Sequence, residues 1–286
     1  MRDPGAPAAL GRPALLASVP PERLVILSPR ARRVALRAAS VAACLVFWQL
    51  AASHHVDFGV VNLRNVPAPT EVLAAAWELL HSPKVFLHVR NSLFRVLAGF
   101  VLASIAGVAF GLAIGRSRLA EDVILPPLEL LRPIPGVAWI PLAILMFPSS
   151  EVSMIFITFM GALFPIVLNT IHGVEGVDAR LIDTSRSLGA RPWNVFLEVV
   201  IPGALPSIVT GLSIGMGTCW FCLVTAEMIA GQYGIGYYTW ESYNLQLYPG
   251  IVVGMVFIGV FGMVSSALVK RAGAALMPWR RASASS

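Results

Sequence analysis

The chain has 286 residues, 57% of them hydrophobic and only 13% charged, and a mean hydropathy of +0.75. Soluble domains carry about 25% charged residues, so too little polar surface is available to coat a water-facing globule, and a soluble domain, a disordered chain and a disulfide-stapled secreted scaffold are excluded. The net charge of +6 could suit nucleic acid, but the arginines cluster beside apolar runs, where they orient a membrane protein, and no nucleic-acid partner is expected.

Residues 1–33 are rich in Pro, Ala and Arg, with Pro4, Pro7, Pro13, Pro20, Pro21 and Pro29 opposing any long helix, and read as a disordered cytoplasmic tail. The first long apolar run, 34–53, follows Arg30, Arg32, Arg33 and Arg37 and reads as a retained span, since a cleaved signal would start closer to the N-terminus. In 54–90, Pro67, Pro69 and then Thr70 as a cap predict a short amphipathic helix over 71–81, too short to span and lying in the interface. A span needs about 20 apolar residues, and five more segments qualify: 91–115, 121–147, 152–171, 203–230 and 249–270. The expected fold is therefore all-α and polytopic, with six transmembrane helices over 34–271 and a cytoplasmic tail over 272–286. With the N-terminus inside, sixteen Lys and Arg fall on the cytoplasmic side against Arg64, Lys84, Arg90 and Arg95 outside, while Arg132 stays within the third segment. That asymmetry places both termini in the cytoplasm.

Within these segments, Gly107, Gly111 and Gly115 recur every four residues, as do Gly211 and Gly215, and such small-residue faces let helices approach closely in lipid. The third segment is different: Pro126, Pro127, Pro133, Pro135 and Pro141 break its hydrogen-bond ladder, and freed carbonyls at membrane depth survive only against protein or a water-filled cavity. Ionisable residues at such depth are functional candidates by default. Glu129 and Arg132, three apart, can pair along one helix face to hold the broken helix together, or can line a pathway. Glu227, near the outer end of the fifth span and followed by Gly231 and Gly234, can anchor loop amides or shape an outer gate. Cys219 and Cys222 form a C-x-x-C inside an apolar span with no histidine near them, and read as packing rather than a metal site. His54 and His55 are adjacent and point apart, so no metal is expected there either. The two lysines, Lys84 and Lys270, belong to no phosphate-cradling loop, and no nucleophile–base arrangement appears; the chain is not expected to be an enzyme.

The loop over 172–202 is the most informative stretch. Asp183-Thr184-Ser185-Arg186-Ser187-Leu188-Gly189-Ala190 predicts a short helix, with Leu181, Ile182, Ser185 and Leu188 at helical spacing and Gly189 suited to a left-handed C-cap; Arg191-Pro192 opens a second helix leading to Pro202. An acid, two small residues, three more, Gly, and later an aliphatic-x-aliphatic-Pro resembles the EAA loop of permease subunits of binding-protein-dependent ABC importers. Asp183 stands at the acid position, Thr184 and Ser185 at the two alanines, Gly189 at the glycine and Pro202 at the proline. Around it, Ser92 to Phe100, Leu131 to Leu142, Ile201 to Pro206, and Ala226-Glu227-Met228 through Gly234-Ile235-Gly236-Tyr237 are similar to the sulfonate/taurine/nitrate permeases, so that the resemblance covers about 65–275.

The resemblance implies a type I ABC importer permease fold that works as a homodimer in the bacterial inner membrane. It implies cytosolic ATPase subunits that bind ATP and Mg, no cofactor on this chain, and a separate solute-binding protein. It also implies a loop helix that docks on the ATPase and rocks the spans, and a small oxyanion of sulfonate, taurine or nitrate type as substrate. Glu129, Arg132, Met216, Thr218, Trp220 and Glu227 are the candidates for the pathway or gate. The alternative from another class is an ion-driven secondary transporter, against which stands the lack of a second Pro-broken segment in a matching half.

Overall fold

The structure, a computed structural model, describes residues 29–55, 57, 59 and 63–279. The chain divides into two compact units, 1–47 and 48–286. Helix α1 (Pro29–Ser53) crosses that division and exposes every side chain from Arg32 to Phe47, with Arg32, Arg33 and Arg37 and then an apolar run over 38–47 that suits a lipid surrounding. Of the tail expected over 1–33, residues 1–28 lie outside the described residues and the last five are helical.

Helix α2 (Pro69–His81) starts earlier than expected. Its N-cap is Ala68, whose N–H donates to Glu71 Oε2 at 3.2 Å, with Pro69 at the first helical position where a missing N–H costs nothing. Thr70 is not the cap; its N–H donates to Gln49 Oε1 at 3.2 Å, and Trp48 Nε1 donates to the Pro67 carbonyl at 3.1 Å. Helix α3 (Pro83–Arg116) begins eight residues before the expected span, capped by Ser82. On this early part of the helix His88, Ser92 and Arg95 are buried because they find partners across the chain. Arg95, counted as an outer-surface charge from the sequence, is 1% exposed.

The third segment is broken at Pro133 and Pro135, while Pro126 and Pro127 lie inside a helix and Pro141 at the start of one. Helix α4 (Arg118–Leu131) and a stretch formed by a 3-10 turn (Gly136–Trp139) and helix α5 (Ile140–Met146) meet at 84°. Helix α6 (Ser150–Glu175) follows. Then come helix α7 (Ala179–Ser187), helix α8 (Pro192–Val195), a π-helical turn (Phe196–Val200) and helix α9 (Ile201–Ala230), the last three continuous with one another. The π-turn has a local cause: Pro202 brings no N–H to the Glu198 carbonyl four residues back and its ring crowds that position, and a widened turn absorbs both. Helix α10 (Ile235–Asn244) and helix α11 (Tyr248–Ala275) complete the described chain, α11 running four residues into the expected tail, whose residues 280–286 lie outside the description. Five helices are long and apolar enough to cross a membrane, and the bent pair makes six if it counts as one span. Among the described residues there is no strand longer than a single bridge at Asp57.

Helix α6 is the central pillar: 56% of its most apolar stretch is buried inside the chain, against 11% for α11. The glycine stripe explains how α3 reaches it. A Cβ on Gly99 would lie 2.7 Å from Thr158 Cβ, one on Gly107 2.8 Å from Ile166 Cγ2, and one on Gly115 2.8 Å from Val174 Cβ. The pairing advances in step along both helices, so α3 and α6 run parallel with their backbones in near contact. Gly211 meets Asn169 and Pro165 while the later Gly215 meets Ile166 and Ala162, so α9 runs antiparallel on the other side. Between them lies a core that includes Val96, Ile157, Ile166, Met216, Trp220 and Leu223. One end of this three-helix layer thus gathers the starts of α3 and α6 with the end of α9, and the opposite end carries α7 and α8.

Candidate functional site

At the α7 end, local chemistry builds a rigid turn. Asp178 caps α7 by accepting from the Arg180 N–H at 2.9 Å. Ser185 and Ser187 donate to the carbonyls of Leu181 and Asp183 at 2.8 and 2.9 Å, so these hydroxyls are spent within the helix. The helix closes in a Schellman arrangement, with Gly189 N–H on the Arg186 carbonyl at 2.9 Å and Ala190 N–H on the Ser185 carbonyl at 3.0 Å. Gly189 holds φ +85°, and nothing lies within 4 Å of where its Cβ would be, so glycine is required there by conformation and not by space. Asp183 pairs with Arg186 at 3.7 Å, both well exposed. Leu181 (57%), Leu188 (83%) and Trp193 (60%) are also exposed. Three large apolar side chains are thus exposed on one short helical hairpin.

At the opposite end a buried polar cluster clasps the Gly231–Gly236 turn. His88, Ser92 and Arg95 lie along one face of α3 at spacings of four and three residues. The Glu227 carboxylate, fully buried on α9, accepts from Ser92 Oγ at 2.7 Å, Arg95 Nη1 at 2.7 Å and the Gly236 N–H at 2.9 Å. Arg95 also donates from Nη1 to the Tyr233 carbonyl at 2.6 Å, and turns its Nε and Nη2 edge onto Glu151 at the start of α6, with 2.8 Å from Nε to Oε2. Ser92 Oγ in turn accepts from the Ile235 N–H at 2.8 Å, and His88 Nδ1 sits 3.1 Å from the Gly234 N–H and 3.0 Å from its carbonyl. Gly234 has φ +142°, and a Cβ there would collide with the Glu227 carboxyl. One guanidinium therefore ties α3, α6, α9 and the turn into α10 together. On α10 itself Glu241, beside the Tyr237 hydroxyl at 3.3 Å, raises that phenol above its ordinary range, and burial does the same to Tyr238, so both stay uncharged at neutral pH.

The remaining candidates are dispersed. Glu129 and Arg132 are both exposed and form no ion pair with one another; an exposed pair three residues apart gains only a few tenths of a kcal/mol, which does not hold two long side chains in place. Met216 (2%) and Trp220 (3%) turn into the chain's own core, where Trp220 Nε1 donates to Ser265 Oγ at 2.9 Å and its ring stacks on Phe261. Thr218 is half-buried and lies instead on the open face of α9 with Ile214, Gly217 and Phe221. Cys219 and Cys222 are buried packing residues, with Cys222 Sγ seated where a Cβ on Gly136 or Gly161 would fall, and no cluster of metal ligands exists among the described residues. Sequence reasoning found Glu227 but missed His88, Ser92, Arg95 and Glu151. The signal was present in the helical spacing of His88, Ser92, Arg95 and Gly99, which puts three polar residues on the same stripe as a packing glycine.

Residues 99–282 match the sequence model of the family described as binding-protein-dependent transport system inner membrane component. A nitrate import permease protein, NrtB, of Synechocystis is 34% identical over 248 residues, covering 84% of this chain and 86% of its own. The provisionally named aliphatic sulfonates transport permease protein SsuC of Escherichia coli is 36% identical over 227 residues, covering 78% and 85%. A provisionally named ABC transporter permease protein of Methanocaldococcus jannaschii is 37% identical over 235 residues, covering 82% and 87%.

Proposed function

Because the chain belongs to the inner-membrane components of binding-protein-dependent transport systems, we propose that it is the permease of an ATP-driven importer for a small oxyanion of nitrate or organosulfonate type. The chemical class rests on the names of its relatives, nitrate and aliphatic sulfonate permeases. In this reading two copies form the pathway, cytosolic ATPase subunits hold ATP and Mg, and a solute-binding protein delivers the anion on the other side. Both termini face the cytoplasm, as the arginine and lysine asymmetry argues.

The observation that carries the coupling role is the α7 hairpin. Its exposed Leu181, Leu188 and Trp193 offer an apolar surface to an ATPase cleft, while α8 runs without interruption into α9, so a push on α7 is delivered to a membrane span as motion of a rigid rod. Asp183, Thr184, Ser185, Ser187, Leu188, Gly189 and Ala190 form the contact, and Pro202 sets the π-turn at the rod's base. ATP binds the closed ATPase pair better than the open one, and that difference in affinity biases the spans between two states. The open face of α9 with Thr218 lines the pathway, and the Pro-broken segment with Glu129 and Arg132 forms its wall. Met216 and Trp220 act behind that wall, as packing that holds α9 in shape. Glu227 anchors the outer gate through Arg95 and the Gly231–Gly236 turn.

The test is affinity purification of the tagged chain from its native membrane in mild detergent, followed by mass spectrometry and by ATP-dependent uptake of nitrate, taurine and an alkanesulfonate in vesicles. An ATPase recovered in comparable amount, with uptake that requires ATP, is the expected result. A stable chain recovered alone, with uptake driven by an ion gradient, would replace this reading with a secondary transporter.

A further inference from the structure

Behind the α7 hairpin a cavity of about 550 Å³ opens between the end of α3, α7 and the helical stretch from Pro192 to Val200. Its polar lining is Arg116, Ser117 and Arg186, and its apolar lining includes Val174, Ile182 and Val200. No carboxylate lines it. Arg116 lies over the Phe196 ring with its guanidinium carbon 4.6 Å from the ring centroid. That contact uses the flat face of the guanidinium and leaves its N–H edges available, and no acid stands within ion-pair distance of it among the described residues. Arg186 reaches only Asp183, at 3.7 Å, and both side chains are more than half exposed. Ile182 and Arg186, one turn apart, face this cavity, whereas Leu181 and Leu188 lie outside its lining.

The cavity lining holds two guanidiniums and no carboxylate, and among the described residues only Arg186 has an acid in reach, the exposed Asp183 at 3.7 Å, so the lining is left with positive charge that an anion would balance. A guanidinium edge matches two oxygens of a tetrahedral oxyanion; inorganic phosphate has oxygens for two such edges, and the two non-bridging oxygens of a phosphodiester can each accept from one guanidinium. We propose that this cavity binds the phosphate group of an anion, bridging Arg116 at the end of a membrane span to Arg186 on the α7 hairpin. The apolar lining beside the two arginines accommodates the hydrocarbon attached to a phosphodiester, and the end of α3 stands where a span leaves the hydrocarbon layer, the depth of phospholipid headgroups. The same chemistry fits free phosphate. In either case the bound anion ties the hairpin to α3 as well as to α9, so that two helices follow its movement.

The test uses the full-length chain in nanodiscs of phosphatidylcholine containing about one fifth phosphatidylglycerol, with bound lipid counted by native mass spectrometry after release. Wild type retains phosphatidylglycerol in preference to phosphatidylcholine, and the double variant Arg116→Gln, Arg186→Gln weakens that retention about tenfold or more, the effect of losing one charged hydrogen-bonded contact. Arg180→Gln, on α7 but outside the cavity lining, leaves retention unchanged. Millimolar inorganic phosphate separates the sources: displacement of the lipid together with direct phosphate binding identifies free phosphate, and lipid that stays bound identifies the headgroup. Should the glutamine variant fail to fold, the double variant Arg116→Lys, Arg186→Lys keeps both charges and loses both forks, and its retention falls about threefold or more. Equal retention by wild type and the folded variants, with no binding of inorganic phosphate, would overturn the proposal.

Discussion

Removing the Glu227 carboxylate tests the clasp most directly. Glu227→Ala would leave three donors without their acceptor: Ser92 Oγ, Arg95 Nη1 and the Gly236 N–H. It would also strip the buried Arg95 of its one fully buried counter-charge among the described residues, since Glu151 is 55% exposed. Removing one member of a buried ion pair costs about 3–5 kcal/mol, and that figure is the expected loss. Glu227→Gln keeps the volume and one carbonyl acceptor, and is expected to cost about 1–3 kcal/mol, the penalty for one or two poorly matched buried groups. Arg95→Met should be as damaging as Glu227→Ala, because it leaves Glu227 buried and unpaired while Glu151 relaxes into solvent. The double variant Arg95→Met, Glu227→Gln carries no buried charge at this site. It should therefore be more stable than the sum of the single losses by about 1.5 kcal/mol or more, as contacting residues of a network behave. Equilibrium unfolding of the four proteins in mixed micelles, followed by tryptophan fluorescence, closes the cycle. Losses that add to within about 0.5 kcal/mol would show that the Arg95–Glu227 contact is not energetically coupled and would refute the clasp.

The remaining predictions concern turns and packing. Gly189→Asn should keep most ATP-dependent uptake, because asparagine tolerates the left-handed region, whereas Gly189→Val carries about 1–2 kcal/mol of backbone strain and should lose uptake at unchanged membrane level; equal uptake by the two would show that φ +85° at this turn is unimportant. Gly99→Leu should lower the unfolding temperature markedly, since even a Cβ there falls 2.7 Å from Thr158 Cβ and 2.9 Å from the Ile155 carbonyl and forces α3 off α6, at a cost of about 1–3 kcal/mol or more; a wild-type melting temperature would contradict the close parallel packing. Trp220→Phe should keep the stack on Phe261 and lose only the bond to Ser265, costing about 1 kcal/mol by chemical unfolding, and complete loss of transport at normal stability would instead place Trp220 in the pathway.

Composition and run length alone determined much of this protein. Runs of about 20 apolar residues have few ways to exist other than as membrane helices, and Pro133 and Pro135 mark where the third segment breaks, although Pro126 and Pro127 are carried inside α4. Gly189 followed by Arg191-Pro192 could only end one helix and begin another, since glycine is the residue that enters the left-handed region freely and proline opens helices. These are properties of short stretches, and they survive in whatever surroundings the stretch meets. Thr70 shows the limit within one turn: its type and place predict the cap, but Ala68 takes that position and the Thr70 N–H donates to Gln49, 21 residues away. The buried cluster lay wholly beyond that reach. Arg95 and Glu151 are 56 residues apart, and Arg95 and Glu227 are 132 apart, so an arginine that reads locally as an exposed charge becomes a buried linchpin only once α3 and α6 run parallel and α9 returns antiparallel against α6. In the same way Met216, Thr218 and Trp220 look alike as neighbours on an apolar helix, and only the packing of α9 on α6 turned two of them inward and left the third on the open face. A charge is tolerable in the interior only if its partners arrive together, and that arrival is decided by the packing of whole helices and not by any single stretch of chain.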